Sequence, residues 1–215
     1  SRFPGGLALM GAIIGIDMAL WDIKGKAAGL PIWALLGGKC RGRIRTYGHV
    51  KGAAADEMTE SAASLVEKYG YTAVKCFPAM WGRDVPAWSV VLREAETRMR
   101  KIREAAGPDV DVAADAHAAI QYPFQAVDLA EVIAPWNPMF LEEPVRPENM
   151  DALAAVVRKT RVPIATGEMF YGKWAYLDLL SRKTADIIQP DICIVGGFTE
   201  MKKIAALAEA FYIPI

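Results

Sequence analysis

Asp111-Val112-Ala113-Ala114-Asp115-Ala116-His117, Met139-Phe140-Leu141-Glu142-Glu143-Pro144 and Ile164-Ala165-Thr166-Gly167-Glu168 are three short apolar runs, each closing on a carboxylate. Runs this short, bounded by turn residues, read as buried strands of a parallel sheet. The stretches between and after them, near 122–134, 147–158 and 171–182, carry helical periodicity. The same alternation extends outward to strands at Ile44–Val50, Ala73–Phe77, Ile187–Gln189 and Tyr212–Ile215, with helices near 55–69, 86–106 and 197–210. Each strand and helix together take about 25 to 30 residues, which is the signature of βα units. Seven strands separated by six helices favour an α/β fold of the (β/α) barrel type, lacking its closing segment, over a doubly wound sheet.

The barrel region is expected at 44–215, and residues 1–43 are expected to be a helical segment leading into it. In that leading segment Ile13, Ile16, Ala19, Leu20, Ile23 and Ala27 recur at helical spacing over 8–28, and Gly29-Leu30-Pro31 ends the run. No linker or low-complexity tract divides the region. The opening residues lack an initiator Met and a signal-peptide layout, and Phe211-Tyr212-Ile213-Pro214-Ile215 reads as a strand cut before its loop. Both ends are therefore expected to be those of a fragment, with the natural protein longer on each side.

With 215 residues and 53% hydrophobic content, the chain can bury a sizeable core, so disorder, collagen and disulfide scaffolds are excluded. Lysines plus arginines equal aspartates plus glutamates at 25 each, and no basic field exists to recruit nucleic acid. The longest apolar stretch, Leu7 to Leu20, is broken by glycines and Asp17 and falls short of the roughly 20 residues that span a bilayer. No membrane segment is expected. Cys40, Cys76 and Cys193 lack metal spacing and read as packing thiols in a reducing cytoplasm.

The chemistry collects at strand ends. Asp115, Glu142, Glu168 and Asp191 each stand at or just after the C-terminal end of a candidate strand, where the loops of a barrel build its site. Asp115 and Glu142 are 27 positions apart, and Glu142 and Glu168 are 26 apart, which puts one carboxylate on each of three adjacent strands. Unpaired, such charges would raise one another's pKa. A hard divalent cation removes that cost, and carboxylate oxygens suit Mg²⁺ better than Zn²⁺. The blander alternative is three solvated loop acids, which register at three successive strands disfavours. His117, two residues after Asp115, is placed to act as general acid or base, or else is a structural histidine bonded to a loop carbonyl.

At this point the residues resemble a known family. Ile16-Asp17-Met18-Ala19-Leu20-Trp21-Asp22-Ile23-Lys24-Gly25-Lys26, continuing through Pro31 to Leu35-Leu36-Gly37-Gly38, is similar to the first signature of the mandelate racemase and muconate-lactonizing group of the enolase superfamily. Asp115-Ala116-His117 with Leu141-Glu142-Glu143-Pro144 resembles the second, and Thr166-Gly167-Glu168 and Gln189-Pro190-Asp191 complete the pattern. The resemblance implies a modified (β/α)₇β barrel, here incomplete, with an α+β capping domain most of which is absent from the chain. It also implies a homo-oligomer, and Mg²⁺ held by Asp115, Glu142 and Glu168. The metal would bind a substrate carboxylate and stabilise the enediolate formed when the α-proton is removed, a strategy known for enolase-superfamily sites.

Racemases of this group carry Lys-x-Lys on the second strand and Asp-x-Asn on the third, where this chain has Lys75-Cys76-Phe77 and Asp115-Ala116-His117. Phe77 cannot accept a proton. The Asp-x-His form resembles acid-sugar dehydratases such as galactonate dehydratase, in which the histidine protonates the departing β-hydroxyl. The resemblance thus implies a hydro-lyase that converts an acid sugar to a 2-keto-3-deoxy acid, with His117 as acid and Asp191 orienting a base beyond Ile215. The chain as given would then lack its proton-abstracting group. Lys75 would contribute positive charge near the substrate carboxylate, or else be a salt-bridged strand-end lysine. His49, Arg83 and Trp81 are candidate substrate contacts, and Glu143 and Pro144 are expected to shape their loop. Two other classes stay open: a racemase or epimerase of a 2-hydroxy acid, and a non-catalytic barrel relative.

Overall fold

The computed structural model describes residues 6–79 and 87–215. In chain order these form α1 (Leu7–Ala28), α2 (Ile32–Leu35), β1 (Gly48–His49), α3 (Ala55–Tyr69), β2 (Ala73–Cys76), α4 (Trp88–Ala106), β3 (Asp111–Asp115) and α5 (Pro123–Ile133). A single 3₁₀ turn (Ala134–Trp136) follows, then β4 (Pro138–Glu142), α6 (Met150–Val157), β5 (Ile164–Thr166), α7 (Gly172–Ser181), β6 (Ile187–Ile188), α8 (Ile192–Val195) and α9 (Gly197–Ala210). The fold is α/β, and the strands follow one another in sequence order. Its contacts divide into two compact units, one of residues 45–165 with 184–186, the other of the residues up to Ile44 with 166–183 and 187–215.

In the 45–165 unit the ladder is parallel from β1 to β5, with Gly48 opposite Val74, Cys76 opposite Ala114, Asp115 opposite Glu142, and Glu142 opposite Ala165. β2 is buried along its whole length, as expected of a parallel strand covered on both faces. Met58, Met99, Ile102, Leu129, Ile133, Leu141, Leu153 and Ile164 are essentially inaccessible and form the core under the helices. Helix ends obey local chemistry. The Glu57 carboxylate accepts from the Ala53 and Ala54 amides at the start of α3, Gly70 in the left-handed region closes it, and Asn149 caps α6. Gly48 has a packing reason: a β-carbon there would lie 2.8 Å from Cδ2 of Leu65 on α3.

The first expected strand, Ile44–Val50, shrinks to Gly48–His49, because its only ladder bonds run to β2 and residues before Gly48 have no backbone partner row. The seventh expected strand, Tyr212–Ile215, carries no ladder among the described residues; one bond, Ile188 N–H to the Pro214 carbonyl at 3.0 Å, is what remains of it. Alternating apolar character marks a segment as able to pair, but pairing needs a partner edge on the other side.

In the other unit α1 runs as expected to Gly29, whose φ of +63° ends it. The apolar residues at helical spacing do not form its buried face. Ile16, Leu20 and Ile23 are exposed, whereas Asp17, Trp21 and Gly25, at i, i+4 and i+8, face inward. Asp17 accepts the Thr199 amide at the start of α9, the Trp21 indole donates to Thr199 Oγ1 at 2.9 Å, and Gly25 lets the Leu30 carbonyl approach to 2.9 Å from its missing β-carbon. Apolar residues occur all round this helix, so hydrogen bonding and close approach, which apolar periodicity does not record, choose the face. Cys76 is buried as expected of a packing thiol, but Cys40 and Cys193 are exposed. Among the described residues no helix is long and apolar enough to cross a membrane.

Candidate active site

The C-terminal ends of β1 to β4 bring together Tyr47, His49, Lys75, Asp115, His117 and Glu142, all within the 45–165 unit. That is where ligands of parallel α/β sheets bind. Lys75 on β2 stands opposite Ala113, so its side chain shares a sheet face with Asp115 two residues on. Its Nζ lies 3.0 Å from Asp115 Oδ2 and 3.0 Å from both oxygens of Glu142. All three side chains are buried, with 10%, 2% and 3% exposure. Burial alone would lower the Lys75 ammonium, but Glu142 and Asp115 outweigh it and hold it well above the usual lysine range.

His117 follows β3 in the left-handed region at φ +48°, with Ala118 at φ +52°, an uncommon pair for residues with a β-carbon. The turn folds His117 back on Asp115. Its amide donates to Asp115 Oδ1 at 2.9 Å, and its Nε2 lies 2.9 Å from Oδ2. The ring meets Phe77 edge to face, centroids 4.2 Å apart. The site thus presents an apolar wall beside His117.

Lys75 is a salt-bridged strand-end lysine, as one of the two sequence alternatives had it, and it is shared between two carboxylates. His49 is exposed beside Tyr47, ring centroids 5.7 Å apart, and burial followed by the Lys75 charge keeps its imidazole below the usual range. Tyr47 was absent from the sequence expectations. Its signal was the i, i+2 spacing to His49, which puts both on one face of the chain. Lys75 Nζ stands 5.4 Å from the Tyr47 ring centre, and burial pushes the phenol up despite that cation. Arg98, 2% exposed on α4, was also unforeseen: its Nη2 donates to the Ala53 carbonyl and so holds the loop after β1.

In the other unit, Glu168 lies two residues past β5 and is half-buried, following Gly167 at φ +138°. Asp191 is exposed and spends one oxygen capping α8, accepting from the Cys193 amide at 2.7 Å. In the 45–165 unit Glu143 and Pro144 are buried; the Glu143 amide donates to the Ala165 carbonyl and its carbonyl accepts from the Ala118 amide, next to His117. Arg83 and Trp81 lie outside the described residues. Among the described residues no group of three or more His, Cys, Asp and Glu side chains stands in a metal-holding arrangement.

The donor set nevertheless fits a hard cation. Asp115 Oδ2 is buried and has ionic neighbours but no well-aligned hydrogen bond, so it keeps acceptor capacity, and Glu142 stands beside it in register. A carboxylate pair that already needs one cation is chemically suited to another of higher charge.

Comparison with known proteins places the chain. Residues 57–215 match the enolase C-terminal domain-like model, and residues 4–37 match the N-terminal domain model of mandelate racemase / muconate lactonizing enzyme. The D-galactonate dehydratase of Ralstonia pickettii is 36% identical over 214 residues, covering 99% of this chain and 55% of that protein. The D-galactonate dehydratase family member RspA of Pantoea ananatis is 35% identical over 235 residues, covering 95% and 56%. An Agrobacterium radiobacter enolase, provisionally named a galactarate dehydratase and holding Na and L-malate, superposes with a TM-score of 0.92 at 39% identity, covering 100% of this chain and 55% of that one. An enolase-superfamily member from Salmonella Typhimurium superposes at 0.90 with 36% identity, over 96% and 58%. The chain spans about half the length of the curated relatives it matches. With these motifs and matches, the chain belongs to the enolase superfamily, in the mandelate racemase and muconate-lactonizing group.

Proposed function

We propose that this chain is part of an Mg²⁺-dependent acid-sugar dehydratase built on an incomplete (β/α)₇β barrel. The observation that carries the proposal is the pairing of His117 with Asp115 beside Phe77: an acid is placed at the third strand where the second strand offers no second base. Relatives named for D-galactonate dehydration share this chain over nearly its whole length, which supports the same reaction class.

Asp115, Glu142 and Glu168 would hold the metal. When bound, the ion supplies positive charge at the substrate carboxylate and so acidifies the adjacent C–H. Lys75 adds a fixed positive charge that stabilises the negative charge building up on the carboxylate oxygens. His117, oriented by Asp115, gives its proton to the β-hydroxyl as the C–O bond breaks, and water leaves. Loss of the α-proton and the β-hydroxyl yields an enol that tautomerises to the 2-keto-3-deoxy acid. Phe77 keeps the wall beside His117 apolar and excludes a competing proton donor. His49 and Arg83 are proposed contacts to sugar hydroxyls, and Asp191 is proposed to orient the base that takes the α-proton. Membership of this family of soluble metabolic enzymes further supports a cytoplasmic homo-oligomer.

The test is a keto-acid assay on a panel of acid sugars with Mg²⁺, repeated with His117→Asn. A 2-keto-3-deoxy product that vanishes in the variant supports the assignment; a product formed equally well by the variant overturns the role of His117.

A further inference from the structure

Tyr176 on α7 is completely buried, and its hydroxyl donates a 2.6 Å hydrogen bond to the Gly167 carbonyl. That carbonyl and the Glu168 amide belong to one planar peptide unit, so fixing the oxygen fixes the plane from which Glu168 departs. The same oxygen accepts from the Phe170 amide at 3.2 Å, closing the turn 167–170 around Glu168. The Tyr176 ring meets Phe170 edge to face, centroids 6.0 Å apart, so the side chain grips the turn at two points.

The opposite side of the turn is fixed as well. A β-carbon on Gly167 would lie 3.0 Å from the Gln189 amide nitrogen and 3.4 Å from Cε1 of Tyr176, and the Gln189 amide donates to the Thr166 carbonyl at 2.9 Å. Gly167 is therefore held between the tyrosine ring and the backbone after β6. A phenylalanine would fill the same space as the tyrosine. Relative to phenylalanine, the tyrosine adds the hydroxyl that makes the bond to the carbonyl.

We propose that Tyr176 is a positioning residue for Glu168: its phenol sets the direction of that carboxylate. The inference rests on the reading of Glu168 as a metal ligand. Partners one step removed from the ligands typically change metal affinity by about 10-fold to 100-fold when lost.

The experiment is calorimetric titration of the full chain with Mg²⁺ alone, for the parent, Tyr176→Phe, Glu168→Gln and the double variant. Tyr176→Phe is expected to weaken Mg²⁺ binding by about 10-fold, and to add nothing in the Glu168→Gln background, because it acts through that carboxylate. Binding by Tyr176→Phe equal to the parent, or a loss that persists undiminished in the Glu168→Gln background, overturns the inference while leaving Glu168 a ligand. Parent-like binding by Glu168→Gln overturns the metal reading itself, and the inference with it. Gly167→Ala disturbs the same carbonyl from the other side and is expected to reproduce the loss, so the outcome does not depend on one variant folding.

Discussion

Asp115 and Glu142 are register partners at the ends of adjacent parallel strands, and Lys75 Nζ lies 3.0 Å from an oxygen of each. Neighbouring strands run about 4.8 Å apart, so two buried carboxylates facing one mouth must be offset by positive charge. Lysine supplies one unit. The remaining acceptor capacity of Asp115 Oδ2 is what makes a divalent cation fit.

Replacing Lys75 with Met removes that charge from between two buried acids. The variant is expected to lose about 3 to 5 kcal/mol of stability in urea denaturation, and millimolar Mg²⁺ is expected to restore part of it. A parent-like midpoint without Mg²⁺ would show that the ion pair does not carry the pair of acids.

Stability is expected to fall at alkaline pH. Burial pushes the Cys76 thiol up to about 12, and the Lys75 ammonium is also raised. For both groups the folded form keeps its proton after the unfolded chain has begun to release it, so their contribution is complete below about pH 8.5 and is lost as pH rises towards 12. Denaturation midpoints at successive pH values should be flat near neutrality and decline above pH 9, at up to about 1.4 kcal/mol per unit per group. Cys76→Ala should postpone the onset; an unchanged onset would remove the thiol from the account.

Gly52 has φ +129°, and a β-carbon there would sit 2.7 Å from Cβ of Glu57 and 2.9 Å from the Met58 amide nitrogen. Gly52→Ala is expected to cost about 1 to 3 kcal/mol in thermal or chemical unfolding, because the obstacle is helix backbone and the conformation is left to glycine. A neutral substitution would mean that the loop after β1 relaxes freely.

His117→Asn keeps a polar group on the turn but removes the titratable proton. Turnover of the preferred acid sugar should fall by at least about 100-fold, whereas Mg²⁺ titration should change little. Loss of Mg²⁺ binding with the same mutation would mark His117 as support for Asp115 instead of the acid.

Much of this was legible in sequence because its signals are local. The intervals separating Asp115, Glu142 and Glu168 anticipated strand ends, and Asp115 and Glu142 proved to be register partners. The two-residue step from Asp115 to His117 anticipated proximity, although the left-handed turn that creates it carries no glycine to announce it. Arg98 was invisible because its role depends on a neighbour from a distant segment, and Tyr47 had only its i, i+2 spacing to His49 as a signal. The extent of α1 was legible but its buried face was not, because Asp17, Trp21 and Gly25 pack through hydrogen bonds and close approach, which apolar periodicity ignores.

The most direct measurement is proton NMR of the intact protein in D₂O with Mg²⁺ and a panel of acid sugars beginning with galactonate and galactarate. A 2-keto-3-deoxy acid should appear as the substrate's α-proton signal is lost. Deuterium at the α-carbon with every hydroxyl retained, or full recovery of all the acid sugars, would contradict the account.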